Sequence, residues 1–282
     1  MKDWKGAPSD CSTARTKSGL DGWTTSNSGK QDGNPGWDKR TSLEEGCQSR
    51  ENMGQTPTLH LLYSCPFCWK VRGLLEHLNV DVNYVGVNGM KIKKDVAFAG
   101  DWGKVPVFTD EQGGYHVDST PLLRLIDETY NGGKMAAQGD TARQEEWLTW
   151  ADTHMSKATV PILYGTLGSA LKTTTRISKI EKFGFISKRL YAWAGFPIMW
   201  GIIARKRVKN DGRKPKQLWH DLLTEFTAAH NGEPFFGGAS PDLVDFAAFG
   251  YVRSISPYPQ FEQLTDHVDG MAWYHRMEAT LN

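Results

Sequence analysis

The segment Cys65-Pro66-Phe67-Cys68 restricts the fold of this chain more than any other. It follows the apolar run Leu59-His60-Leu61-Leu62-Tyr63 and precedes Trp69–Leu78, whose apolar residues have helical spacing. A strand, then C-x-x-C, then a helix places the first sulfur at a helix N-terminus. The partial positive charge there favours thiolate over thiol. Pro66 suits the first helical turn, where its missing N–H costs nothing. Cys68 falls one turn further on, within reach of a mixed disulfide formed at Cys65. Such a sulfur is a nucleophile and a redox centre, so the pattern points to a thiol enzyme.

The other two cysteines, Cys11 and Cys47, stand in a polar tail, and four cysteines are too few for a disulfide framework. A reducing compartment, the cytoplasm, is expected. A zinc site would need two ligands beyond the C-x-x-C. Cys11 and Cys47 are isolated, and His60 and His77 are not at ligand spacing, so no metal is expected. The net charge of +1 does not suggest nucleic acid as a partner. No apolar stretch near Met1 suggests a secretory signal, and eight acidic residues among the first 56 argue against a mitochondrial presequence.

Residues 1–56 are rich in Gly, Ser, Thr, Asp and Lys without periodicity, which predicts a disordered tail. From Thr58 the pattern predicts β-α-β-α-β-β-α, the order of a thioredoxin-type layer over 57–130. Its strands are expected at Leu59–Tyr63, Val82–Val87, Val105–Phe108 and Tyr115–Val117. Its helices are expected at Phe67–Leu78, Lys91–Phe98 and Ser119–Tyr130. Residues 131–140 are Gly-rich and polar and read as a linker. Helical spacing then recurs over 141–282, in Thr141–Tyr164, Gln217–His230, Asp242–Ile255 and His267–Leu281, which predicts an all-α second domain.

Within that domain the block 172–216 holds thirteen Lys or Arg against two acids, Glu181 and Asp211, a net +11. The rest of the chain therefore carries about −10, an asymmetry hidden by the overall balance. Inside the block, Leu190–Ala204 is uncharged and mostly apolar. It is too short to span a bilayer, which takes roughly 20 residues. A buried or dimer-forming hairpin is one reading. Peripheral membrane contact through 190–209 is the other, since Arg205-Lys206-Arg207 flanks the apolar run.

Two further features bear on chemistry. A proline at the start of a strand, in Val105-Pro106, marks an edge or a turn. A cis bond there would leave the Val105 N–H and C=O open to an extended peptide. Asp118-Ser119-Thr120-Pro121 opens a helix whose N–H groups suit a carboxylate, while Asp118 can pair with an ammonium. A γ-glutamyl group has both charges. A plain N-cap is the competing reading of Asp118. Asp242-Leu243-Val244-Asp245 places carboxylates at N-cap and N3 and reads as structural.

Together these residues resemble the glutathione transferase superfamily, and within it the prostaglandin-E-synthase-2-like group. The likeness covers roughly 57–282. It rests on Cys65-Pro66-Phe67-Cys68, Lys70-Val71-Arg72, Lys104-Val105-Pro106 and Asp118-Ser119. In the second half it rests on Trp150-Ala151-Asp152, Lys182-Phe183-Gly184, Pro234–Gly238, Asp242–Asp245 and Trp273-Tyr274. The resemblance implies a glutaredoxin-like domain followed by a helical C-terminal domain of the transferase type. It implies glutathione bound at Val105, Pro106, Asp118 and Ser119, with Cys65 as the key thiol, Cys68 tuning or resolving it, and Phe67 walling the pocket. It implies a homodimer, and haem held with glutathione as an alternative to catalysis. Members carry a Tyr three residues before the first Cys; here that position is Leu62, and Tyr63, one residue later, is the candidate hydroxyl. Three readings follow: an isomerase or transferase acting on a peroxide or electrophilic lipid, a dithiol glutathione-disulfide oxidoreductase, and a non-catalytic haem-glutathione or membrane-surface module.

Overall fold

The computed structural model describes residues 54–181 and 205–281. Of the tail expected over 1–56, residues 1–53 lie outside the described residues, as does the apolar stretch 190–204, while Gln55 N donates to Glu111 O at 3.0 Å. The C-x-x-C sits where the local signals put it. Strand β1, Thr58–Leu61, runs into the turn, and helix α1, Pro66–His77, begins at the proline. After it come β2 (Asn83–Gly86), the short α2 (Ile92–Asp95), a 3-10 segment Ala97–Trp102, β3 (Val107–Thr109), β4 (Tyr115–Val117) and α3 (Ser119–Asn131). The sheet order is β2-β1-β3-β4. β1 pairs parallel with β2 and antiparallel with β3, and β3 pairs antiparallel with β4. This is the thioredoxin-like layer.

The polar segment after α3 is held down. The buried Asp127 carboxylate accepts from Asn131 Nδ2 at 2.7 Å, Met135 N at 3.2 Å and Ala136 N at 2.8 Å. The remaining described elements are helical: α4 (Thr141–Thr153), α5 (Met155–Tyr164), α6 (Leu167–Ile180), α7 (Arg205–Asp211), α8 (Pro215–Ala228), α9 (Leu243–Ile255) and α10 (Val268–Ala279). The single helix expected over Thr141–Tyr164 is two, broken at His154. Ala151 and Met155, four residues apart, face the core on either side of the break, so the apolar spacing ran through it. The helix expected over Lys91–Phe98 is only one turn, followed by the 3-10 segment. No helix among the described residues is long and apolar enough to cross a membrane.

Helix α9 is the axis of the helical layer. Every residue in it except Arg253 is buried, as expected of a helix apolar on all sides. It lies on α1, and Gly250 sets the approach. A Cβ at Gly250 would come within 2.5 Å of Lys70 Cγ and 2.6 Å of the Lys70 backbone N. Backbone cannot yield as a side-chain tip can. Gly250→Ala is therefore expected to lower stability by about 1–3 kcal/mol. Because α1 carries Cys65, the variant should also shift the rate of Cys65 alkylation. Urea unfolding and iodoacetamide kinetics read the two effects.

Candidate thiol site

The main chain makes Cys65 the N-cap of α1, with φ −80° and ψ 123°. Its N–H donates to Leu62 O at 3.1 Å, closing the turn, and Trp69 N donates to its carbonyl at 3.0 Å. No side-chain oxygen caps this helix end. The first-turn N–H groups are left to the sulfur instead. The Cys65 thiol is pulled below its ordinary value chiefly by a hydrogen bond from the Cys68 thiol, with help from the Cys68 and Phe67 N–H groups; burial opposes the shift. Cys68 is fully buried, and burial followed by its bond to Cys65 pushes its thiol well up. The two sulfurs are thus set apart: Cys65 is partly exposed with its thiol shifted toward ionisation, and Cys68 is buried and held protonated.

The surrounding groups come from the starts of β3 and α3, from α1 itself and from α9. Val105-Pro106, just before β3, is a cis peptide. Among the described residues the Val105 N–H and C=O have no hydrogen-bond partner. Asp118 precedes α3 with φ +70°, a rare conformation for a residue with a side chain, and its carboxylate does not cap its own helix. The plain N-cap reading of Asp118 therefore does not hold. Ser119 beside it is buried. Phe67 is exposed, its ring edge-on to Tyr251 of α9 with centroids 5.8 Å apart.

Behind the sulfur lies a buried polar network. Lys70 has no exposed surface. Its ammonium donates to Asp152 Oδ1 at 2.6 Å and Thr120 Oγ1 at 2.8 Å. Tyr251 Oη donates to the same Asp152 oxygen at 2.8 Å, and Thr120 Oγ1 donates to Asp152 Oδ2 at 2.6 Å. Lys70 and Tyr251 each also interact through space with Cys65 and with Asp118. Burial foremost, then the Asp152 charge, keeps Tyr251 protonated far above a phenol's usual range.

Tyr63 is placed otherwise. Its ring lies against Gly86 of β2, where a Cβ would come within 2.8 Å of Cε2. Its carbonyl accepts from Trp69 Nε1 at 2.9 Å, and its N–H donates to Glu181 Oε2 at 3.1 Å. The structure thus brings Cys65, Cys68 and Phe67 together on one turn, with Val105, Pro106, Asp118 and Ser119 at the ends of their own elements. Lys70, Asp152, Tyr251 and Glu181 were not singled out from sequence as site residues. The signals available were an isolated basic residue on a helix face that is otherwise apolar, and one of only two acids in a strongly basic block. A haem iron would need a donor from the protein. The donor this turn offers is the Cys65 sulfur, so haem and thiol chemistry would compete for one atom.

A small sheet with a thiol at the N-terminus of its first helix, followed by a helical layer, defines a thioredoxin-type thiol protein. Residues 59–134 match the family model of the glutathione S-transferase N-terminal domain and form such a domain. Prostaglandin E synthase 2 of Mus musculus is 26% identical over 274 aligned residues, covering 79% of this chain and 70% of that protein. The protein of the same name from Danio rerio is 24% identical, covering 78% and 70%. Among solved structures, glutathione S-transferase III in its apo form superposes with a TM-score of 0.56 at 17% identity, covering 80% of this chain and 92% of that one. Glutathione S-transferase I from maize, in complex with an atrazine–glutathione conjugate, gives 0.57 at 14% identity, covering 80% and 93%.

Proposed function

We propose that this chain is a glutathione-dependent thiol enzyme, acting as a homodimer, in which Cys65 performs isomerase- or transferase-type chemistry on a peroxide or electrophilic lipid. The observation that carries the reading is the setting of the Cys65 sulfur: a helix N-terminus, two N–H groups and a thiol donor converge on one partly exposed atom. The likeness to prostaglandin E synthase 2 and to glutathione S-transferases supports it. Glutathione would lie extended beside Val105, exchanging main-chain hydrogen bonds with its N–H and C=O. Pro106 holds that edge open. Asp118 would take the γ-glutamyl ammonium. The Ser119 N–H and hydroxyl would take the α-carboxylate at the start of α3. Phe67 would wall the apolar side.

With a dialkyl peroxide the thiolate attacks one oxygen. An S–O bond forms, the O–O bond breaks, and the second oxygen leaves as alkoxide and takes a proton. Loss of the carbinol C–H proton then forms the carbonyl as the S–O electron pair returns to sulfur. One proton is gained and one lost, and the thiolate is regenerated, so no external reductant is needed.

The Cys68–Cys65 hydrogen bond also favours a second reading, a dithiol oxidoreductase. There Cys65 attacks a glutathionyl mixed disulfide and releases the first thiol. Cys68 gives up its proton and displaces glutathione, leaving a Cys65–Cys68 disulfide that two further glutathiones reduce. Under this reading Cys65→Ser is inactive and Cys68→Ser partly active, whereas the isomerase reading needs no disulfide at any step.

Isothermal titration calorimetry tests the shared core. Asp118→Ala removes one charge-assisted contact, worth about 1.5–3 kcal/mol. It should weaken glutathione roughly 10- to 100-fold, while Cys65→Ser should bind glutathione and lose turnover. No detectable binding by the unmodified chain would remove both enzyme readings. A Soret band on purification that Cys65→Ser abolishes would favour the haem-glutathione module instead.

A further inference from the structure

We propose that Glu181 is a positioning residue for the Cys65 thiol: its carboxylate latches helix α6 to the turn before Cys65, and its negative charge tempers the sulfur. The inference rests on the thiol reading above and adds a control on the nucleophile.

Glu181 closes α6, its own N–H returning to Ile177 O and Lys179 O. One carboxylate oxygen accepts the Ser64 N–H at 2.7 Å, and the other accepts the Tyr63 N–H at 3.1 Å. These are consecutive amides of the turn that joins β1 to α1. Two bonds to one rigid acceptor fix the turn's rotation as well as its position. The direction in which Cys65 projects is then set by a residue 117 positions away from Ser64.

The same carboxylate acts on the sulfur through space with like charge. The other side chains around Cys65 bring no unpaired positive charge against it. Cys68, on α1, donates a hydrogen bond but carries no charge as a thiol. Lys70, also on α1, is paired with Asp152 of α4. Tyr251 of α9 is neutral, and Asp118 before α3 is another anion. Among the causes acting on Cys65, Cys68 and the two N–H groups pull its thiol down, whereas burial and Glu181 push it up. Holding the turn through a carboxylate therefore carries an electrostatic penalty at the thiolate, and loosening that latch would sharpen the nucleophile.

Glu181→Gln removes the charge and keeps one acceptor oxygen, giving up the second bond, whereas Glu181→Ala removes both bonds. The measurement is the pH dependence of Cys65 alkylation by iodoacetamide in the full chain, followed by peptide-resolved mass spectrometry. Thiolate attack forms the S–C bond and expels iodide, so the rate tracks thiolate. Glu181→Gln is expected to move the midpoint down by about half a pH unit with a smaller fall in Tm than Glu181→Ala. Glu181→Ala should also lower the midpoint, but with a lower Tm and faster hydrogen exchange at Tyr63 and Ser64. The downward shift should shrink in high salt. A midpoint unchanged or raised in both variants overturns the inference. An unmodified chain whose Cys65 alkylates only at an ordinary thiol's pH would instead remove the thiol reading, and that result does not depend on Glu181.

Discussion

Replacing Asp152 with alanine is expected to destabilise the fold by about 3–5 kcal/mol, the range for removing one partner of a buried ion pair. The effect comes from what remains. The Lys70 ammonium has no exposed surface and would keep only Thr120 Oγ1 as an acceptor. The Tyr251 hydroxyl, which donates to Asp152 at 2.8 Å, would be orphaned beside it. Burial lowers the Lys70 ammonium from its ordinary value, and the Asp152 charge and hydrogen bond resist that fall. Without Asp152 the folded chain should release the Lys70 proton at a lower pH than wild type does, while the unfolded chain holds it to about 10.4. A lysine whose folded pKa is depressed adds stability as pH rises between the folded and unfolded values. The deficit of Asp152→Ala should therefore shrink on going from neutral pH toward about pH 10. Urea unfolding at several pH values measures it. Lys70→Met in the same background should recover more than half of the loss, because the stranded charge is gone. A deficit below about 1 kcal/mol would mean that water reaches the pair, as at a surface salt bridge.

That network also marks the limit of what the sequence discloses. The strand, C-P-F-C and helix were legible because each signal is local: an apolar run, a proline at the first helical position, and apolar spacing along α1. Val105-Pro106 and Asp118-Ser119 were legible for the same reason, as short departures from the surrounding pattern. Lys70 was not. A wheel puts it on an otherwise apolar face without naming a partner, and only Asp152, 82 positions later, makes its burial tolerable. Tyr251 reads as one more aromatic in an apolar helix, yet its hydroxyl meets Asp152 across 99 positions. Glu181 drew notice only as a count, one of two acids in a block of thirteen cations. Local chemistry therefore singled out the candidate nucleophile. The groups that orient and tune it arrive through tertiary packing of α4, α6 and α9 on α1, which no window of sequence contains. Asp242 and Asp245 lie between these cases: the capping box is visible in sequence, but the weight it bears is not.

Asp245→Ala should be the most damaging single truncation in the helical layer. Asp245 is fully buried and accepts four hydrogen bonds. Phe236 N at 3.1 Å and Trp273 Nε1 at 2.9 Å meet Oδ1, while Gly237 N and Asp242 N, both at 3.1 Å, meet Oδ2. One carboxylate thus ties the start of α9 to the Phe236-Gly237 turn and to α10. Each donor left unpaired in the interior costs about 1–3 kcal/mol. Four of them amount to at least about 4 kcal/mol, against a total stability of about 5–15 kcal/mol for a typical domain. The variant should be recovered as aggregate, or should unfold at markedly lower urea. Asp245→Asn should fare only partly better, because its NH2 would point at two N–H donors. The pH dependence has a defined sign. Burial, and next the charge of Asp242, push the Asp245 carboxyl up to about 7, against the four donors. An aspartate raised in the fold keeps a proton that the unfolded chain releases near 3.9, so this group's contribution falls as pH rises from about 4 to about 7. His230, pushed down to about 4 mainly by burial, acts in the opposite direction over nearly the same range. The wild-type profile alone would conceal both, so the comparison of variant with wild type is the informative one. The deficit of Asp245→Asn, the more soluble of the two variants, should be larger near about pH 5 than near about pH 8. A deficit independent of pH would mean that Asp245 stays ionised throughout, with its four donors outweighing burial and the neighbouring Asp242 charge.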